Sequence, residues 1–196
     1  MYNYITKSKS ILAAATLSIA LLFTGNAMAG PGKPGDSNIV EIALGVNAMT
    51  GEFEYLLGAV GCLTDEEGNN PVVDLLTGEN KLTLFAPTNM AFENLQMALG
   101  FDVPSPELTC MLGPELVFAV LGYHVTEGRR FSNSVFNKKN NKEIEMLVAG
   151  SIISTPDLTI WDGAGQEIGV VPPLVNINAS NGVIHVVDTV MLPFVP

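Results

Sequence analysis

From Phe131 onward, the apolar residues of this 196-residue chain change their period. Before that point they recur every three or four positions, and after it they fall into short runs separated by turn residues. "SNIVEIALGVNAM" places Ile39, Val40, Ala43, Leu44 and Val46 near helical spacing, with Ser37 as N-cap. "EFEYLLGAV" repeats the pattern with Phe53, Leu56, Leu57 and Val60, after a break at Thr50-Gly51. Strands are predicted over 131–136, 144–148, 151–154, 158–161, 167–171, 174–179 and 183–192. Helices first and strands afterwards point to an α+β fold, not to alternating βαβ units.

Two stretches of the first half carry sharper signals. In "KLTLFAPTNMAFENLQMAL", Leu82, Leu84 and Phe85 form a buried strand that Pro87 ends. Thr88 then caps a helix bearing Ala91, Phe92, Leu95 and Leu99. "PELVFAVLGYHV" is a helix with Pro114 in its first turn, stopped at Gly122, after which a strand begins.

The amino terminus reads as an export signal. Lys7 and Lys9 precede an apolar core from Ile11 to Phe23, and Ala27-Met28-Ala29 is an A-x-A cleavage site. Residues 1–29 are therefore expected to be removed, 30–36 ("GPGKPGD") to be a linker, and 37–196 to form one domain of ordinary size. The apolar core is too short to span a bilayer, so the mature chain is expected to be secreted or periplasmic, without stable membrane insertion. Losing two lysines leaves 7 basic and 20 acidic residues, moving the formal charge from −11 to −13. Such a chain repels phosphate, which disfavours nucleic acid as a partner.

Cys62 and Cys110 are the only cysteines. In an oxidising compartment an even pair reads as a disulfide, the alternative being two buried thiols. "TDEEGNNP" (64–71) is acidic, but Asp65 lacks the ligand spacing of a calcium loop, and a solvated loop is the simpler reading.

Catalytic constellations are scarce. His124 and His185 are the only histidines, and there is no HExxH, GxSxG, P-loop or GxGxxG motif, so no catalytic group, metal site or cofactor is assigned. Ser180, His185 and Asp188 are near one another in sequence, but positions 185 and 188 of a strand point to opposite faces. Val183, His185, Val187, Thr189 and Met191 share one face, while Ile184, Val186, Asp188, Val190 and Leu192 share the other. Both faces are mostly apolar, as in a central strand, and a buried imidazole there must find a hydrogen-bond partner. The segment around Thr88-Asn89 is the expected one.

Three stretches together resemble the fasciclin-like domain family: "TLFAPTNMAF" (83–92), "LGYHVTEG" (121–128) and "NGVIHVVDTVMLP" (181–193). In the first, Thr83, Phe85, Pro87, Thr88 and Phe92 are the signature residues. In the last, Asn181-Gly182 suits a tight hairpin turn needing positive φ, followed by His185. The resemblance implies a wedge of two small β-sheets with helices packed on one side. It also implies an extracellular setting, often in adhesion or matrix proteins, and a binding role around Tyr123 and His124. Asn89 and Met90 depart from the family pattern, as do the cysteine pair and the acidic loop.

The leading expectation is a secreted, non-enzymatic binding domain. It would act in cell-surface, matrix or biofilm adhesion by contacting an envelope or extracellular protein or glycan. A carrier of an apolar molecule such as a carotenoid or lipid is the alternative, and a hydrolase using His185 the remote third.

Overall fold

The computed structural model describes residues 35–194; the predicted signal peptide and all but the last two residues of the predicted linker lie outside them. Helices α1 (Ile39–Thr50), α2 (Glu54–Gly61) and α3 (Pro71–Thr77) lead into strand β1 (Leu82–Pro87) and helix α4 (Asn89–Ala98). A 3-10 helix (Pro106–Leu112), helix α5 (Pro114–Gly122), strand β2 (Val125–Glu127) and a one-turn helix α6 (Ser132–Val135) follow. The rest is strand: β3 (Lys142–Glu145), β4 (Ser151–Ser154), β5 (Thr159–Trp161), β6 (Glu167–Gly169), β7 (Ile177–Ala179) and β8 (Gly182–Val187).

The strands form two sheets, ordered β2-β1-β8-β7 and β3-β4-β5-β6. In the first, β8 lies parallel to β1, with Leu82 opposite Gly182 and Pro87 opposite Val187. Both central strands are buried along their whole length. This first sheet divides the interior. Leu82, Leu84, Ala86, Ile184 and Val186 face a core shared with the helices, whereas Phe85 and Val187 face a second core closed by Ile144, Ile152, Ile160 and Ile168 of the other sheet. Alternation along a strand sends successive side chains to opposite faces, so one strand serves both cores. The α+β reading, with helices on one side of a two-sheet wedge, holds.

Local differences from the sequence-based expectations have physical causes. Asn38, not Ser37, caps α1: its Oδ1 accepts from Glu41 N at 2.9 Å while Glu41 Oε2 accepts from Asn38 N at 2.8 Å. This reciprocal box satisfies two helix-end donors, whereas Ser37 only lends its carbonyl to Ser180 N. The acidic loop runs into a helix absent from the expectations, α3, because Asn70 caps it through Val72 N and Val73 N and Pro71 occupies its first turn. The strand expected over 131–136 is instead the single turn α6, whose following N–H groups return to Phe131 and Ser132 carbonyls; a short apolar run does not distinguish strand from helix by period alone.

The hairpin turn also moves by one residue. Ala179 stands opposite Gly182, so Ser180 and Asn181 make the loop. Gly182 is absent from the positive-φ glycines. It is small because a Cβ there would approach the Leu82 carbonyl oxygen to 2.4 Å and Ile39 Cδ1 to 2.6 Å. The glycine thus permits β8 to pack closely on β1 and α1.

Candidate functional site

Tyr123 and His124 straddle the two cores. Both are buried. The Tyr123 hydroxyl donates to the Ser151 carbonyl at 2.6 Å and accepts from Gly163 N at 2.9 Å, tying the end of α5 to the second sheet. Burial raises its pKa above the usual phenol value. His124 Nε2 lies 2.9 Å from Met191 N, an obligate donor, so that nitrogen accepts. Nδ1 therefore carries the hydrogen and donates to the Val120 carbonyl at 2.7 Å. Desolvation lowers the imidazole pKa to about 4, keeping the ring neutral. What reaches the surface from this pair is the shape of the elements it joins.

His185 does not bond the Thr88-Asn89 segment. Its Nε2 is 2.7 Å from the Arg130 carbonyl, and its ring stacks on Phe85 with centroids 5.6 Å apart. Nδ1 receives a long bond, 3.4 Å, from Asn176 N, so the ring is the Nε2–H tautomer and donates to Arg130. Burial lowers its pKa as well. The partner differs from expectation because Thr88 and Asn89 are already engaged. Thr88 Oγ1 caps α4 through Ala91 N, and Asn89 bridges to Tyr55 N and the Gly51 carbonyl. Asp188 accepts from Gly169 N and from the Thr189 hydroxyl rather than from His185. Ser180, for its part, lends its carbonyl to Lys81 and Arg129. The three residues of the hydrolase reading do not hydrogen-bond one another.

The remaining signature residues hold the frame. Thr83 Oγ1 donates to the Gly128 carbonyl at 2.6 Å and accepts from Arg130 N at 2.8 Å. Pro87 ends the ladder with β8, and Phe92 stacks on Tyr55. Asn181 does more than its turn position suggested. Its Oδ1 accepts from Ile39 N at 3.0 Å, and its Nδ2 donates to the Leu76 carbonyl at 2.6 Å and the Gly78 carbonyl at 3.1 Å. A disulfide joins Cys62 at the end of α2 to Cys110 in the 3-10 helix, with Cα atoms 5.2 Å apart. In the acidic loop, Asp65 accepts from both the backbone and the side chain of Asn69, and these bonds hold its carboxyl below the usual range.

Sequence reading missed a solvent-open pocket of about 420 Å³ lined by α1, α2, α3 and β1. Val40 and Leu44, Leu57 and Val60, and Val73 and Leu76 supply its walls, Leu84 and His124 border it, and Thr64, Asp74 and Thr77 provide polar edges. Cavities of this size hold small organic ligands. Val40 and Leu44, read in the sequence only as part of the helical apolar pattern of α1, line this pocket.

The model of the fasciclin domain matches residues 66–193. This chain belongs to the fasciclin domain family. Fasciclin domains are generally adhesion and binding domains, typically extracellular and generally not enzymes. Protein sll1483 of Synechocystis sp. is 31% identical over 158 residues, spanning 79% of this chain and 73% of that protein. Transforming growth factor-beta-induced protein ig-h3 of Sus scrofa is 28% identical over 131 residues, which is 61% of this chain but 16% of that protein. A FAS1 domain pair from the insect cell adhesion molecule Fasciclin I aligns with a TM-score of 0.46 at 15% identity, covering 70% of this chain and 45% of that one. Helices α1 and α2 precede the matched stretch, yet pack in the same core as the rest of the fasciclin domain. Among the described residues, no helix is long and apolar enough to cross a membrane.

Proposed function

We propose that this fasciclin domain is a secreted, non-enzymatic adhesion module that contacts an envelope or matrix protein or a glycan. The observation that carries this reading is the commitment of both histidines to the scaffold. Each is a neutral ring bonded to backbone groups, so neither is free to take a proton from a substrate. The amino-terminal sequence supports export, and the family supports binding. Immobilised protein is expected to retain a specific protein or glycan from envelope and matrix material of its host, with His185→Ala lowering the melting temperature. Recovery of nothing above a blank resin, or turnover of a screened ester or glycoside that His185→Ala abolishes, contradicts the proposal.

The cavity between α1, α2 and α3 favours a second reading, in which the domain carries an apolar molecule such as a lipid or carotenoid. Extraction of protein purified from its own host, followed by mass spectrometry, is expected to yield a stoichiometric apolar compound. Leu44→Trp, which places an indole in the pocket, should lower that yield. An empty extract from folded wild-type protein rules the reading out.

A further inference from the structure

The second sheet has a dissimilar outer face. Its inner face is built from Ile144, Ile152, Ile160 and Ile168, all buried. On the opposite side, register places Glu143 against Ile153, Ile153 against Trp161, and Trp161 against Glu167. These four residues make one unbroken row across the strands, and all four are exposed. Ile153 and Trp161 keep 44% and 41% of their surface in solvent, at the centre of a sheet where an apolar pair with no cover is unfavourable. A carboxylate stands at each end. Glu145 and Ser151 form the adjoining pair on the same face.

The charge on this face is one-sided. The strands of this sheet carry Glu143, Glu145 and Glu167 against a single cation, Lys142. Alternation turns Lys142 away from the row, and its ammonium bonds the Ser134 carbonyl. One oxygen of Glu143 accepts from the Ser151 hydroxyl at 2.6 Å, which fixes the carboxylate over the face and leaves the second oxygen free for a donor. Lys138 and Lys139 precede β3 in the chain, and no ion pair with Glu143 or Glu167 forms among the described residues.

We propose that this row is the docking site for a basic, extended segment of a partner protein, of the pattern cation-x-apolar-x-cation. Neighbouring strands are about 4.8 Å apart, so three steps put the ends of the row about 14 Å apart. An extended chain advances about 3.4 Å per residue, so positions i and i+4 are also about 14 Å apart, and i, i+2 and i+4 share one face. A segment crossing the strands therefore sets its two cations over Glu143 and Glu167 and its apolar residue over Ile153 and Trp161. The indole face also attracts a neighbouring cation. An apolar centre with an aromatic anchor and a charged rim is the arrangement expected of a binding hot spot. The site rests on the adhesion reading and names its surface and partner chemistry.

Trp161 is the only tryptophan, so its emission reports occupancy directly. The full chain is titrated at low ionic strength with a capped Lys-Ser-Leu-Ser-Lys peptide, its rearrangement Lys-Lys-Leu-Ser-Ser, and a neutral N-acetylglucosamine oligomer. The first peptide is expected to shift Trp161 emission to the blue, to lose affinity with added salt, and to bind about threefold more weakly to Glu143→Gln or Glu167→Gln. Equal binding of the rearranged peptide, no effect of the double Gln variant, a response to the oligosaccharide alone, or no spectral change overturns the proposal. The retention experiment separates this failure from failure of the broader reading. If a Trp161→Ala, Glu143→Gln, Glu167→Gln variant captures the same envelope partner as wild type, adhesion stands and this surface is wrong. If neither captures anything, the adhesion reading fails as well.

Discussion

Met191 donates its main-chain N–H to Nε2 of His124 over 2.9 Å, joining the end of α5 to a residue 67 positions later. This bond requires a neutral ring, and burial lowers the imidazole pKa from the ordinary 6.5 to about 4. Between those values the unfolded chain binds a proton that the folded chain refuses. Stability is therefore full above pH 6.5, falls as pH drops towards 4, and changes no further through this group below that. The loss is on the order of 3 kcal/mol. Urea unfolding at successive pH values across this window is expected to show it, with His185 adding in the same direction. His124→Gln should flatten most of the slope; a wild-type profile that is already level would refute the assignment.

Removing Asn181 strikes three elements together. Asn181→Ala deprives Ile39 N of an acceptor and the Leu76 and Gly78 carbonyls of a donor. Each buried group left unpaired costs about 1–3 kcal/mol, so a loss of several kcal/mol is expected from chemical denaturation. Asn181→Asp keeps the acceptor and loses both donors, placing a charge beside two carbonyls, and should be no better tolerated. A variant within the error of wild type would show that the side chain is dispensable.

Two glycines should respond in opposite senses to alanine. Gly45 lies within α1, and a Cβ there meets nothing within 4 Å. Gly45→Ala is expected to raise stability by roughly 0.5–1 kcal/mol through helix propensity. At Gly163 a Cβ would come within 2.2 Å of the Pro193 carbonyl oxygen, in a segment fixed by Ala164 N to Leu192 O and by Leu192 N to Asp162. Gly163→Ala should therefore lower the melting temperature, and thermal scans of both variants decide the pair.

Reduction should weaken the domain without removing its fold. The Cys62–Cys110 bridge closes a 48-residue span, worth on the order of 4 kcal/mol in chain-entropy models. Denaturation with and without a thiol reductant measures this, and Cys62→Ser combined with Cys110→Ser should make the reductant ineffective. Equal midpoints for reduced and oxidised wild type would count against a stabilising bridge.

Much of this was visible in the residue order because the informative signals are local. Thr88 before an amphipathic run caps a helix wherever it occurs, and a strand apolar on both faces, such as 183–187, has to be central. What escaped reading depends on distant partners. Asn181 looks like a turn residue until α1 and α3 are placed beside it. His185 meets Arg130 rather than Thr88 because Thr88 is already spent on its own helix. The cavity arises from the spacing between three helices, which no window along one of them records. The row Glu143–Ile153–Trp161–Glu167 needs the register of four strands, although each strand's alternation was legible alone.

The parallel pairing of β1 with β8 sets Leu82 beside Gly182, one hundred positions further on. Neither strand has a local substitute for the other, since their remaining neighbours, β2 and β7, are three-residue edges. A chain without β8 thus leaves both cores open along β1 and removes Ile184 and Val186 from the face on which the helices pack. The first sheet is therefore complete only when β8 lies between β1 and β7, which has no other strand to pair with.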